Sequence, residues 1–165
     1  MSRVYVVQFE NVTVSAAQDL WDIVPATDKP VLLHGFSLSN VGGTTDAGDA
    51  QEELLRLQVI RGLATVGSGG SAASASTNIS PLNPGDPASS FTARINDTTV
   101  AVVGGGTTVN LFADGWNNRI PYQMFFTPET RPACSATQTR MVIRLVAAPA
   151  DALSVSGAAF VEEQA

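Results

Sequence analysis

Residues 53–61, ELLRLQVIR, set Leu55, Leu57 and Val59 on one side of an extended chain and Arg56 and Gln58 on the other. Period two belongs to a strand with one buried face; a helix would repeat its apolar positions every three to four residues. The alternation returns in RMVIRLV, where Met141, Ile143 and Leu145 oppose Arg140 and Arg144. It returns again near the C-terminus, where Leu153, Val155, Gly157, Ala159 and Val161 alternate with Ser154, Ser156, Ala158 and Phe160.

Further strands are expected at 3–9, 30–39, 90–95, 107–113 and 121–126, about eight in all. Turn-rich stretches separate them: NVGGTTDAGD, GSGGSAASAST, PLNPGDP, GGG at 104–106 and TPETRPACSAT. One short helix is expected at 15–23, SAAQDLWDI, with Ser15 as N-cap, Gln18 as its capping-box partner, and Ala16, Leu20 and Ile23 on one side. The expected fold is all-β: one antiparallel β-sandwich domain over 1–165, jelly-roll-like, with an N-terminal strand or arm at 1–10 and long loops.

The longest loop, 67–89, opens with eleven residues of little besides Gly, Ser and Ala. Such a stretch buries too little apolar surface to offset its ordering entropy, so something outside it must hold it. Small side chains permit close backbone approach, and the expected support is a neighbouring chain lying flat against it.

A chain of 165 residues with 44% apolar and 15% charged residues is long enough for a single core. Its net charge of −6 and pI near 4.5 disfavour a phosphate backbone as partner. Lys29 is the only lysine and the arginines are scattered, so no basic run draws an anionic membrane. The opening MSRVYVVQFENVTV has no apolar segment of signal-peptide type, and synthesis in the cytoplasm is expected. The lone Cys134 agrees with that compartment.

Reactive groups are few. His34 is the only histidine, too few for the several-histidine metal site of a cupin-type sandwich, and it reads as a hydrogen-bonded residue on a sheet face. Asp46, Asp49 and Glu52, with Glu53, form an acidic run that lacks the spacing of a calcium loop; solvated loop charge is the expected role. GSGG at 67–70 and GGG at 104–106 open no helix and end in no Gly-Lys-Ser/Thr, so they read as turns rather than phosphate cradles. Trp21 is expected to pack the short helix on the sandwich. Trp116 either caps one end or contacts a ligand; with Asn117 and Asn118 in DGWNNR it is the place for a glycan. No cofactor is expected. The Asn-x-Ser/Thr patterns at Asn11, Asn78 and Asn96 carry no meaning without a secretory signal.

Over AAQDLWDIVPATDKPVLLHGFSLSN, DAQEELLRLQVIRG, the SGGSA loop, PLNPGDPASSFTARIN and MVIRLVAAPADALSVSGAAFVEE, the chain resembles small virion proteins of tailed bacteriophages, specifically jelly-roll capsid decoration (cement) proteins. The resemblance implies a non-enzymatic protein on the outer capsid surface that binds the major capsid protein, commonly as a homotrimer. Expected capsid contacts are Ser2, Arg3, Val4 and Tyr5, whose strand would add to a neighbour's sheet edge, and Gly67, Gly69, Gly70, Pro81 and Pro84 of the long loop. Phe91, Phe112 and Tyr122 are the expected anchors of the trimer seam. A glycan- or receptor-binding domain of a phage fibre, and a hydrolase or metal enzyme on a sandwich, are the competing readings.

Overall fold

A computed structural model describes residues 2–40, 52–75 and 77–164. Twelve strands follow one another: β1 (Arg3–Val14), β2 (Gln18–Val24), β3 (Val31–Asn40), β4 (Leu54–Arg61), β5 (Ser71–Ala72), β6 (Ile79–Pro81), β7 (Thr92–Asp97), β8 (Val109–Asn117), β9 (Tyr122–Phe125), β10 (Ala133–Cys134), β11 (Met141–Leu145) and β12 (Leu153–Glu163). The one helical element among the described residues is a 3₁₀ turn at Ala136–Gln138. All eight strands expected from alternation and composition are present.

Two antiparallel sheets pack as a sandwich. Sheet A runs β10-β3-β12-β1-β6, with β9 also paired to β3; sheet B runs β5-β7-β2-β11-β4-β8. The long strands change sheet at almost every connection, which places their alternate residues in one shared interior. Tyr5, Val7 and Phe9 of β1, Leu33, Phe36 and Leu38 of β3, and Val155, Ala159 and Val161 of β12 meet Trp21, Ile23, Leu57, Val59, Met141 and Ile143 of sheet B. Trp21 lies at the centre, against Phe9 and Phe36, its Nε1 donating to the Val7 carbonyl at 3.0 Å.

The expected helix at 15–23 is instead strand β2. Its register slips at Leu20: Trp21 faces Ile143 while Asp19 faces Arg144, so Leu20 is an extra residue in the strand. That bulge turns Asp19 and Asp22, three apart, to the same outer side, a spacing that imitates a helix. Ser15 therefore caps nothing.

The outer side of β2 and β11 is buried too, which hides the alternation of β2. Residues 62–70 and 98–106 cross over it as a two-stranded lid. Ser68 and Thr99 exchange both backbone bonds, at 2.9 and 2.8 Å, and Thr65 and Val102 do the same at 3.1 Å. Leu63, Ala101 and Val142 make a second small core beneath. Around it lie Arg140 on Asp22 at 2.6 Å, Arg144 bidentate on Asp19, and Arg94 bidentate on Asp97 at 2.7 and 2.8 Å. Asp19 also accepts from Ala101 N at 2.7 Å, and Arg140 Nε donates to the Leu63 carbonyl at 3.1 Å, so the charges fasten the lid to the sheet.

The described part of the Gly/Ser stretch has supports within its own chain. A Cβ on Gly70 would lie 2.1 Å from the Ile95 carbonyl, and Gly69, at φ +91°, presses against Thr98. Gly70 N donates to Asp97 at 3.0 Å, β5 pairs with β7, and β6 pairs with β1. Asn78 ties the intervening turn to the Gln8 carbonyl at 3.1 Å. These partners are about 20 to 70 positions away along the chain, which is why local composition gave no sign of them.

Candidate interaction surface

The outer face of sheet A is uncovered among the described residues. Strand register sets its side chains in rows. One row runs Val4, Glu162, Leu32; the next runs Val6, Phe160, Gly35, Phe125; a third runs Gln8, Ala158, Ser37, Gln123. Phe125 is 56% exposed and lies with its ring centroid 5.6 Å from that of Phe160, reaching it across β3. Gly35 makes this possible, since a Cβ there would sit 2.6 Å from the Phe125 ring. Val6, Phe160 and Phe125 thus form an apolar strip across the sheet.

A charged cluster borders the strip. His34 Nε2 bonds the Glu162 carboxylate, which also takes Arg131 at 3.4 Å. Burial acts to raise the Glu162 carboxyl, but hydrogen bonds from His34 and Ser2 and the charges of His34 and Arg131 prevail, and its pKa lies below the ordinary value of 4.5. In a nucleophile–base–orienter chain the imidazole stands between hydroxyl and carboxylate. Here the carboxylate stands between Ser2 and His34, an order that ties β3 to β12 and to the residue just before β1.

The expected contact residues divide by strand alternation. Val4 faces outward beside the strip, and with Ser2, Arg3, Leu82, Asn83 and Asp86 it lines an open groove of about 420 Å³. Tyr5 faces inward, fully buried, its hydroxyl donating to the Pro87 carbonyl at 3.1 Å. Strand addition through 2–7 is closed, because β6 pairs with Tyr5–Val7 and Leu82 N continues onto the Val4 carbonyl at 2.9 Å. Pro81 is half-buried in β6 and Pro84 is exposed; Gly67, Gly69 and Gly70 belong to the lid.

The three aromatic anchors are not brought together. Phe91 is core, 2% exposed and edge-on to Tyr5, so it cannot serve an interface. Phe112 and Tyr122 are half-buried at the opposite rim, where Phe112 meets Phe126 edge-on and Tyr122 donates to Asp114 at 2.8 Å. Burial, and then the bond to Asp114, raise the Tyr122 phenol.

Trp116 resolves as a cap. It is 1% exposed and donates to the Ile120 carbonyl at 2.9 Å, and Asn118 is buried beside it with its Oδ1 taking Glu53 N at 3.2 Å. Neither offers a sugar a free face. Asn117 bonds Glu52 at 2.8 Å. Asp46 and Asp49 lie outside the described residues, and among the described residues no group of three His, Cys, Asp or Glu side chains is placed to hold a metal. Cys134 is buried, and burial pushes its thiol up to about 11.

Phe125 and Phe160 were missed as surface residues, yet a signal existed. In the C-terminal alternation Phe160 falls among the outward positions of Ser154, Ser156 and Ala158, and an aromatic residue on the polar phase of a strand marks a covered or sticky face. Comparison with protein-family models, with curated proteins and with solved structures found no match.

Proposed function

We propose that this chain is a non-enzymatic capsid decoration protein: a jelly-roll domain that docks on the outer lattice of a phage head, as a homotrimer, and stabilises it against the pressure within. The observation that carries this reading is the unequal treatment of the two outer faces. Sheet B spends two loops and three Arg–Asp pairs on covering the outer side of β2 and β11, whereas sheet A leaves Phe125 more than half exposed in one strip with half-buried Val6 and Phe160. Apolar strips of this kind serve contact with another protein.

Strand order supports the jelly-roll type. Eight of the strands interleave as β1-β12-β3-β9 in one sheet and β2-β11-β4-β8 in the other, with β7 added beside β2, the arrangement expected when two Greek keys are wound together. The glycan reading loses its stacking platform with the burial of Trp116.

Thermal release of packaged DNA tests the proposal. Heads lacking the protein should leak at lower temperature, added wild-type protein should restore them, and Phe125→Ser/Phe160→Ser protein should not. Release unchanged by the protein's absence, or full rescue by the double variant, would overturn the reading.

A further inference from the structure

Among the described residues four edges bound the two sheets, and three offer little backbone to a partner. Sheet A ends in β6, three residues that include Pro81, and in β9 and β10, of four and two residues. Sheet B ends on one side in the two-residue β5. Its other edge is β8, nine residues without proline or lysine. A long unblunted edge is a ready template for another strand.

Only part of β8 can accept one. Arg56 gives its carbonyl to Val146 N at 2.9 Å, so its backbone groups face β11, and its partner Gly115 turns its own groups to the open side. Ala113, two residues away, does the same. The bulge at Leu111 interrupts the run below, and the turn in which Ile120 N donates to the Asn117 carbonyl at 3.0 Å closes it above. The usable stretch is 112–116.

Asp114 stands in its middle. The carboxylate takes Gly115 N and the Tyr122 hydroxyl, both at 2.8 Å, so it is fixed at the rim rather than free to swing away. Two copies of β8 pairing antiparallel, Ala113 of each to Gly115 of the other, would set one Asp114 directly against the other. Pairing Ala113 to Ala113 would carry Gly115 onto the bulge. Like charges directly opposite destabilise a ladder, and opposite charges support it.

We infer that the β8 edge is a strand-acceptor site read by Asp114: it turns away a second β8 and takes an extended segment that presents a lysine or arginine opposite Asp114. The recognition is backbone pairing through both groups of Ala113 and the carbonyl of Gly115, whose N–H Asp114 already holds, plus one charge complement.

The probe is this chain carrying Asp114→Lys. Sedimentation velocity should find a one-to-one complex when it is mixed with wild type, while each alone keeps its own oligomeric state. Wild type should bind the D114K chain about two- to thirtyfold more tightly than it binds itself through this edge. Ala113→Pro in both chains should abolish the complex, because the Ala113 N–H points to the open side and serves no bond among the described residues. Asp114→Asn gives a second arm, since loss of the charge alone should let that variant self-pair. No complex in the mixture, a complex that survives Ala113→Pro, or an Asp114→Asn chain that associates no more than wild type would each overturn the inference.

Discussion

Replacing Arg140 with Met tests whether the buried charges beneath the lid hold it in place. The side chain is 9% exposed and makes two bonds, Nη1 to Asp22 at 2.6 Å and Nε to the Leu63 carbonyl at 3.1 Å. Asp22 is buried, and its other oxygen, Oδ1, has no hydrogen-bond partner, so loss of Arg140 strands the whole carboxylate. Breaking one side of a buried ion pair costs about 3–5 kcal/mol. For a domain of this size that lowers the melting temperature by about 6–20 °C. Burial holds the Asp22 carboxyl above its ordinary value of 3.8, outweighing the charge and hydrogen bond of Arg140. A raised acid binds its proton more tightly when folded, so its contribution to stability falls as pH climbs through the folded value. Removing Arg140 lifts that value further. The deficit of the variant is therefore greatest at neutral pH and narrows as pH drops through it. Calorimetric melting across pH reads both quantities. Asp22→Leu/Arg140→Met, which removes both charges, should regain at least half of the loss. A deficit under about 0.5 kcal/mol, the scale of an ordinary surface change, would refute the reasoning. So would a deficit that does not vary with pH, or a double variant no better than the single.

Gly157→Ala should destabilise by about 1–3 kcal/mol through overpacking, because its Cβ would lie 2.8 Å from the Trp21 ring and 2.9 Å from Leu38; Gly85→Ala, whose nearest neighbour is Asn83 Oδ1 at 3.5 Å, should leave the melting temperature unchanged. Cys134, its thiol at about 11 and its side chain buried, should resist a thiol-reactive disulfide reagent at pH 8 in the folded protein and react fully in urea.

β4, β11 and β12 were legible because each sets apolar residues along one phase while the other phase is interrupted by charged or small polar residues, even where, as in β11, the lid buries that other phase. β2 was not, for two reasons acting together. The bulge at Leu20 spaces Asp19 and Asp22 as a helix would, and the lid buries the outer side, so both phases of the strand are withdrawn from water. β5, β6 and β10 run for two or three residues and depend on partners far along the chain, beyond any local window. At the candidate surface, alternation divides the N-terminal stretch. Val4 and Val6 belong to the outer face, whereas Tyr5 and Val7 belong to the core, and only register against β12 assigns the phase. Phe91 against Phe112 and Tyr122 repeats the point: aromatic content flagged all three, and burial separates the first from the other two.

The lid explains why the two sheets differ in what they can do. Covering the outer side of β2 and β11 required residues 62–70 and 98–106 to give up their entropy, and that cost is offset by Leu63, Ala101 and Val142 together with the Arg–Asp pairs, groups whose partners lie within the chain. That covering is itself not wholly polar, since Val66, Val102 and Val103 of the lid stay about half exposed, but its position is fixed by partners within the chain. Sheet A makes no comparable investment among its described residues, and its exposed strip sits on neighbouring strands in adjacent register, with Gly35 as the one position whose missing side chain lets Phe125 and Phe160 meet. Water gains nothing from three apolar side chains aligned this way, and the domain's own stability draws little from an aromatic ring more than half exposed. The strip becomes favourable only when another surface covers it, so the free energy it holds in reserve is available to association rather than to folding.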